Sequence, residues 1–385
     1  MDTAPATTAI EFGRLPPCPH PLRSPLGALG WIVTLASGVA SLVAILAVLA
    51  AIPILNFLAL GYMLEAEGRV VRSGRFRDGM PFAGALPRLG SVALGVWFWL
   101  AVVRLVSLAA RDAALVDPGG PAARRWAVVQ GAITLLVGGH VLLAIFAGGR
   151  LSAFVRPLRN LRLFLAACRA GGLWRRSGES LAAVLDVIQP ARLAWLGVRG
   201  FLGAFLWLVI PTILFASLRE TRRPGQVLVV LVGGGLLAIV LSWVPFLQAR
   251  FAAENRLAAF RDVRGVREAW RRAPVAMLVA VVVLYAASLP LPLFKVLAPP
   301  RDVVPFLTPI FVLTIFPARL VVARVTAWAA ARPARRWLVV RAAVGLALLP
   351  LFGVYLFLLF FTPAIDALGR RVLFDHHALL LPSPF

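Results

Sequence analysis

Lysine is almost absent: of 40 basic side chains only Lys295 is not arginine, and 16 acids oppose them, leaving a formal charge of +24. Cysteine is equally scarce. Cys18 and Cys168 lie in segments of very different character, so no disulfide framework is indicated. No acid falls inside an apolar run, which removes the carboxylate that proton- and cation-coupled carriers usually place there. A phosphate-cradling P-loop, a Gly-x-Ser-x-Gly elbow and the C-x-x-C and H-E-x-x-H spacings are also missing. Cys18-Pro19-His20 and Asp375-His376-His377 contain zinc-binding residue types without ligand spacing, so no metal site is expected. Gly233-Gly234-Gly235 suits close helix packing. These absences predict a non-enzymatic chain without a cofactor.

What the chain has is apolar bulk. It is 61% hydrophobic and 15% charged, with a mean hydropathy of +0.88, far from the usage of a soluble globule. The expected fold is all-α, a polytopic transmembrane bundle of about eight spans with cytoplasmic amphipathic helices. At about 20 apolar residues each, spans are expected near residues 29–52, 90–110, 126–149, 193–217, 226–247, 275–297, 304–329 and 337–362. The first is expected to be one long helix broken at Pro53, or a span followed by a half-embedded hairpin. Pro317 is expected to break the seventh. Residues 1–28 form a Pro-rich tail without the features of a cleavable signal peptide or a lipoprotein anchor. A first four-helix unit is expected at 29–217, a second at 218–362, and a tail at 363–385.

Arginine sits in blocks between the apolar runs. Residues 64–89, 150–192, 248–273 and 317–336 are rich in it, and the connections between them are poor. This alternation directs the rich loops to the cytoplasm of a bacterial cell and leaves both termini outside. It favours anionic lipid head groups and membrane-protein partners, with no role for nucleic acid. Within one block, Val263, Val266, Trp270 and Ala273 recur at helical spacing beside Arg264, Arg267 and Arg271. Such a helix is expected to lie on the inner leaflet, its arginines among the head groups. Leu181, Val184, Leu185 and Ile188 suggest a second amphipathic helix stopped by Pro190.

A gapless offset of 189 residues sets Phe57-Leu58 on Phe246-Leu247, Tyr62 on Phe251, Glu65 on Glu254 and Arg72 on Arg261. It suggests a parallel tandem repeat of four-helix units. The repeated segment also holds the candidate polar or ligand site: Asn56, Glu65, Arg69, Arg250, Glu254 and Asn255. Arg69 stands four residues after Glu65 and Arg250 four before Glu254, the spacing of an ordinary intrahelical ion pair. The sharper reading is two pseudo-equivalent sites gripping a head group or an ion. Arg104 and Arg341 lie near enough to span ends to snorkel, and His140 reads as a structural imidazole.

Ile52 to Leu64, I-P-I-L-N-F-L-A-L-G-Y-M-L, with Arg69, Arg72 and Gly74 after it, resembles a bacterial membrane family known as domain of unknown function 4013. The resemblance covers about residues 30 to 110. Met80 to Gly90 stands where that family tends to carry an acidic, tryptophan-containing segment. Membership would imply a helix, a proline, an apolar segment ending in Gly-Tyr and a basic arm, and no activity. Two functions fit the sequence: a scaffold or accessory subunit with a basic lipid-binding face, or a transporter or lipid-handling permease with a path between two repeated halves.

Overall fold

Apolar runs of this length must satisfy their own backbone groups, and they do so as helices. The structure, a computed structural model, describes residues 18–171, 186, 188–216, 224–288, 291, 304–361, 376 and 379–381, among which no strand occurs. The helices are α1 (Pro25–Ala51), α2 (Asn56–Ser73), α3 (Leu86–Val116), α4 (Pro121–Phe146), α5 (Pro157–Arg169), α6 (Pro190–Ala216), α7 (Pro224–Glu254), α8 (Val263–Arg272), α9 (Pro274–Ser288), α10 (Val304–Ala330) and α11 (Leu338–Phe361). Among the described residues, seven stretches are long and apolar enough to cross a membrane, carried by α1, α3, α4, α6, α7, α10 and α11. An eighth arises only if α8 and α9, which meet at 111°, together make one broken span.

Two expectations need correction. Pro317 does not split the seventh span, because α10 runs unbroken for 27 residues through Pro309 and Pro317. A proline removes one donor and bends a helix, but neighbouring turns carry it on. At the first span the break is real: α1 stops at Ala51, Ile54 takes a φ of 73°, and α2 starts afresh at Asn56. Helix α2 is therefore a separate helix after the break. Residues Ala59 to Gly68 are all buried, nearly three turns enclosed on every side by α6, α7 and α10.

Close backbone approach lets α2 into that position. A Cβ on Gly61 would lie 1.8 Å from the Leu193 carbonyl oxygen of α6, and one on Gly197 would lie 1.9 Å from that of Phe57. The two glycines therefore let the helix backbones touch, as small residues do in membrane packing. Gly68 allows the same approach to Ala252 of α7.

The chain divides into two compact units, Met1–Leu42 with Phe82–Ile188, and Val43–Pro81 with Gln189–Phe385. They interleave along the sequence and do not coincide with a division at residue 217. In the first unit Phe154 is 3% exposed and packs with Ala144, Ala153, Val92, Val96 and Trp99. In the second, α2 joins α6 to α11 around a larger core that includes Phe215, Phe246, Phe251, Met277 and Tyr285.

One local arrangement occurs in both units. Gly95 and Trp99, a turn apart on α3, receive Phe154: a Cβ on Gly95 would meet its ring at 2.3 Å, and Trp99 Nε1 donates to its carbonyl at 3.0 Å. Gly203 and Trp207 on α6 receive Phe260 in the same way, at 2.2 Å and 3.1 Å. Each phenylalanine ends an Arg-Leu-x-Ala-Phe sequence, Arg150 to Phe154 and Arg256 to Phe260. Each sequence comes directly after a residue of positive φ, Gly149 at 65° or Asn255 at 54°, and contains a 3₁₀ turn. The offset of 189 does not align these landmarks: it sets left-handed Gly74 on helical Val263, and Asn255 on Ala66 inside α2.

Candidate functional site

The polar residues of the second unit collect where α2 ends against α6 and α7. Glu65, 5% exposed, is held by three arginines: Arg69 Nε at 2.9 Å, Arg192 at 3.2 Å and Arg72 at 3.7 Å. Arg69 comes from the same helix by i,i+4 spacing, whereas Arg192 comes from the first turn of α6. Arg72 also donates to the carbonyls of Ala252 and Ala253, at 3.3 and 3.0 Å. It thereby ties α2 to the last turn of α7, where orphan carbonyls attract cations.

That turn carries the second predicted cluster. Arg250 reaches Glu254 at 3.4 Å and Asp262 at 2.5 Å, and Arg256 reaches Glu254 at 2.8 Å. Arg199 of α6 donates to both the backbone and side-chain oxygens of Asn255. Glu65, Arg69, Arg250, Glu254 and Asn255 thus lie in one unit, bridged by Arg72. Asn56 belongs to the same unit but stands apart from this cluster, since it opens α2 nine residues earlier, about 13 Å of helical rise away.

α8 turns its apolar side inward. Val266 is 1% exposed and Trp270 packs edge-on against Phe246 of α7, so protein, not lipid, covers that face. Arg264 and Arg267 are exposed, while Arg271 lies 3.7 Å from Glu268. Glu268 also accepts two hydrogen bonds from Arg335, at 2.9 and 3.1 Å, and one from Arg272 at 3.3 Å. Arg335, then Arg272, hold its carboxyl below the usual carboxylate range. Asp262 caps α8 by accepting from the Gly265 N–H at 2.8 Å.

Three features escape a reading of the sequence alone. Glu67 and Arg319 form a pair at 2.8 Å with side chains 2% and 3% exposed. Its sequence signal is limited to two arginines, Arg319 and Arg324, in the apolar run of α10. Gln248, 1% exposed, donates to the carbonyls of Gly200 and Leu379, at 3.2 and 2.9 Å. His376 lies 3.0 Å from the Thr212 hydroxyl. Asp375 and His377 lie outside the described residues, as do Leu181, Val184 and Leu185 of the second amphipathic segment.

In the first unit His140, 9% exposed, places Nε2 at 2.9 Å from the Phe154 carbonyl. A carbonyl only accepts, so Nε2 carries the proton. Among the described residues no three of His, Cys, Asp and Glu gather as metal ligands would. Chemically, the basic end of the second unit is an electrostatic surface: its clustered carboxylates Glu65, Glu254, Asp262 and Glu268 are held by arginine, and the surplus guanidinium groups face outward. Comparison with protein-family models, with curated proteins and with solved structures gave no match.

Proposed function

We propose that this multi-pass protein resides in the bacterial cytoplasmic membrane as a non-enzymatic scaffold or accessory subunit, whose basic cytoplasmic end engages anionic lipids and membrane-protein partners. One observation carries the reading. Residues 65–78, 192–199, 250–272 and 332–336 together hold sixteen arginines against six acids. Ion pairs and hydrogen bonds from Arg72, Arg192, Arg199 and Arg335 link these segments to one another. Even with every carboxylate paired, positive charge remains for head-group phosphates. Arg264 and Arg267, with Arg271 behind them, form the part that meets the leaflet, and α8 is the amphipathic cytoplasmic helix of the fold.

The alternative, a transporter or lipid-handling permease, needs polar groups free to take cargo. Arginine already holds Glu65, Glu67 and Glu254, which supports the scaffold reading. The repeated Gly-x-x-x-Trp and Arg-Leu-x-Ala-Phe arrangement supports descent of α3–α4 and α6–α7 from one helix pair, in place of a four-helix duplication.

The test is reconstitution of the full chain in nanodiscs of mixed phosphatidylglycerol and phosphatidylcholine, with the bound lipid counted across a salt series. Enrichment of phosphatidylglycerol that falls with salt, and falls further when Arg264, Arg267 and Arg271 are changed to Glu, is the expected result. Equal retention of both lipids at all salt concentrations would sink the proposal.

A further inference from the structure

A cavity of about 130 Å³ opens between the first turn of α9, the end of α10 and the start of α11, lined by Ala273 to Ala276, Trp328, Arg332, Arg336 and Val340. That volume corresponds to roughly four waters of liquid, enough for one phosphate group. The Arg332 guanidinium stacks on Trp328 at 3.7 Å, a geometry that fixes the cation and shields one of its faces from water. Arg336 is anchored through its backbone, whose N–H donates to the Arg271 carbonyl at 2.9 Å, so its side chain does not define the loop.

The charge balance around this cavity is lopsided. Glu268 is the acid nearest in the ion-pair network, and Arg271, Arg272 and Arg335 already share it. Among the described residues, Arg332 and Arg336 make no ion pair. Two guanidinium groups therefore line one pocket without a counter-charge, an arrangement that repels itself until an anion enters. Planar forks of this type match phosphate oxygens.

The surroundings select the kind of anion. Val275 forms part of the cavity wall and begins a stripe on α9 with Val279 and Val282, at 54%, 52% and 43% exposure. Across the mouth, Trp337, Leu338 and Val339 are 82%, 72% and 76% exposed. Exposed tryptophan beside arginine and aliphatic residues is the pattern of the membrane interface. A phosphate in the pocket would thus have bare aliphatic surface beside it along about 10 Å of α9, from Val275 to Val282, enough to cover the first part of an acyl chain.

We infer that this cavity is a discrete binding site for the phosphate of an anionic phospholipid, held by Arg332 and Arg336, with an acyl chain along Val275, Val279 and Val282. The site rests on the proposed lipid-engaging role but is separate from Arg264 and Arg267 of α8. Free inorganic phosphate would satisfy the guanidinium groups and leave the valine stripe uncovered.

The test is native mass spectrometry of the full chain, purified in detergent and titrated with phosphatidylglycerol, with phosphatidylcholine in parallel and inorganic phosphate as competitor. One phosphatidylglycerol adduct should survive added salt. R336Q should weaken it roughly tenfold, and R332Q with R336Q roughly a hundredfold, as expected when one and then two charge-assisted hydrogen-bonding groups are lost. R336Q changes an exposed side chain without disturbing its backbone bond, so it tests the site even if the double variant is unstable. The R264E, R267E variant should keep this adduct. Retention of the adduct in R336Q at wild-type strength would overturn the site, and its displacement by inorganic phosphate would overturn the lipid assignment. If wild type shows no preference for phosphatidylglycerol at all, the broader lipid-engaging role fails with it. A salt-sensitive preference that ignores Arg332 and Arg336 rejects the pocket alone.

Discussion

Gly61 has no room for even one methyl group. A Cβ there would come within 1.8 Å of the Leu193 carbonyl, a backbone atom that can move only with α6. Gly61→Ala should therefore destabilise the second unit by about 1–3 kcal/mol, read as a lower melting temperature in detergent. Gly235→Ala, in the same unit with nothing within 4 Å, should cause no such loss. The Glu67–Arg319 pair is open to a sharper comparison, because breaking a buried pair costs about 3–5 kcal/mol whereas replacing both partners with apolar residues is often neutral. Glu67→Gln should lower the melting temperature strongly, and Glu67→Met combined with Arg319→Leu should restore most of the loss. Equal losses in the two variants would show that the pair contributes more than charge compensation. Sequence makes Glu65 visible because Arg69 stands one turn away, but it does not connect Glu67 with an arginine in the distant apolar run of α10. The two acids are only two residues apart yet point to opposite sides of α2, and Arg319 lies 252 residues beyond Glu67.

Helices α3 and α4, like α6 and α7, are joined to the segment after them by a tryptophan that donates to a phenylalanine carbonyl. Trp99→Phe and Trp207→Phe keep the ring and remove the donor. Trp207→Phe should cost about 1–3 kcal/mol, the penalty for a buried acceptor left unmet, and Trp99→Phe should cost less, because His140 still donates to the Phe154 carbonyl. The two should speed amide hydrogen exchange locally around residues 256–262 and 150–156. Exchange that quickens throughout the unit would point to global loosening and refute the local role. The Arg-Leu-x-Ala-Phe sequences are present to be read, but a gapless offset cannot hold them together with their tryptophans. Trp99 and Trp207 are 108 residues apart, whereas Phe154 and Phe260 are 106 apart. α8 is tied down by charge as well. Its Glu268 titrates below the usual carboxylate range in the folded protein, so its contribution to holding residues 332–336 is present above the ordinary value. That contribution is lost as pH falls through the lowered one. Proteolysis near Arg335 should accelerate on acidification, and Glu268→Gln should abolish the change. An unaltered pH response in that variant would assign the release to another group.

For the molecule as a whole, hydropathy marks most of the spans because length and apolarity decide them locally. It could not mark α2 as a core helix, since that role depends on contacts with α6, α7 and α10, all distant in sequence. The position of the basic end makes a prediction at this scale. In a background without Cys18 and Cys168, Arg75→Cys, Arg256→Cys and Arg335→Cys should all be labelled by an impermeant maleimide from the cytoplasmic side. Labelling of any one from the opposite side would divide the basic end. The enclosure of α2 also has a consequence in time. At about 5–20 residues per second, synthesis takes roughly 13–50 s to travel from Glu67 to Arg319. For that interval the nascent helix holds a carboxylate intended for the interior with its counter-ion still unmade. It must therefore wait at the water-facing edge or in the care of an insertase, and it enters the bundle only after the last of its three enclosing helices has been made.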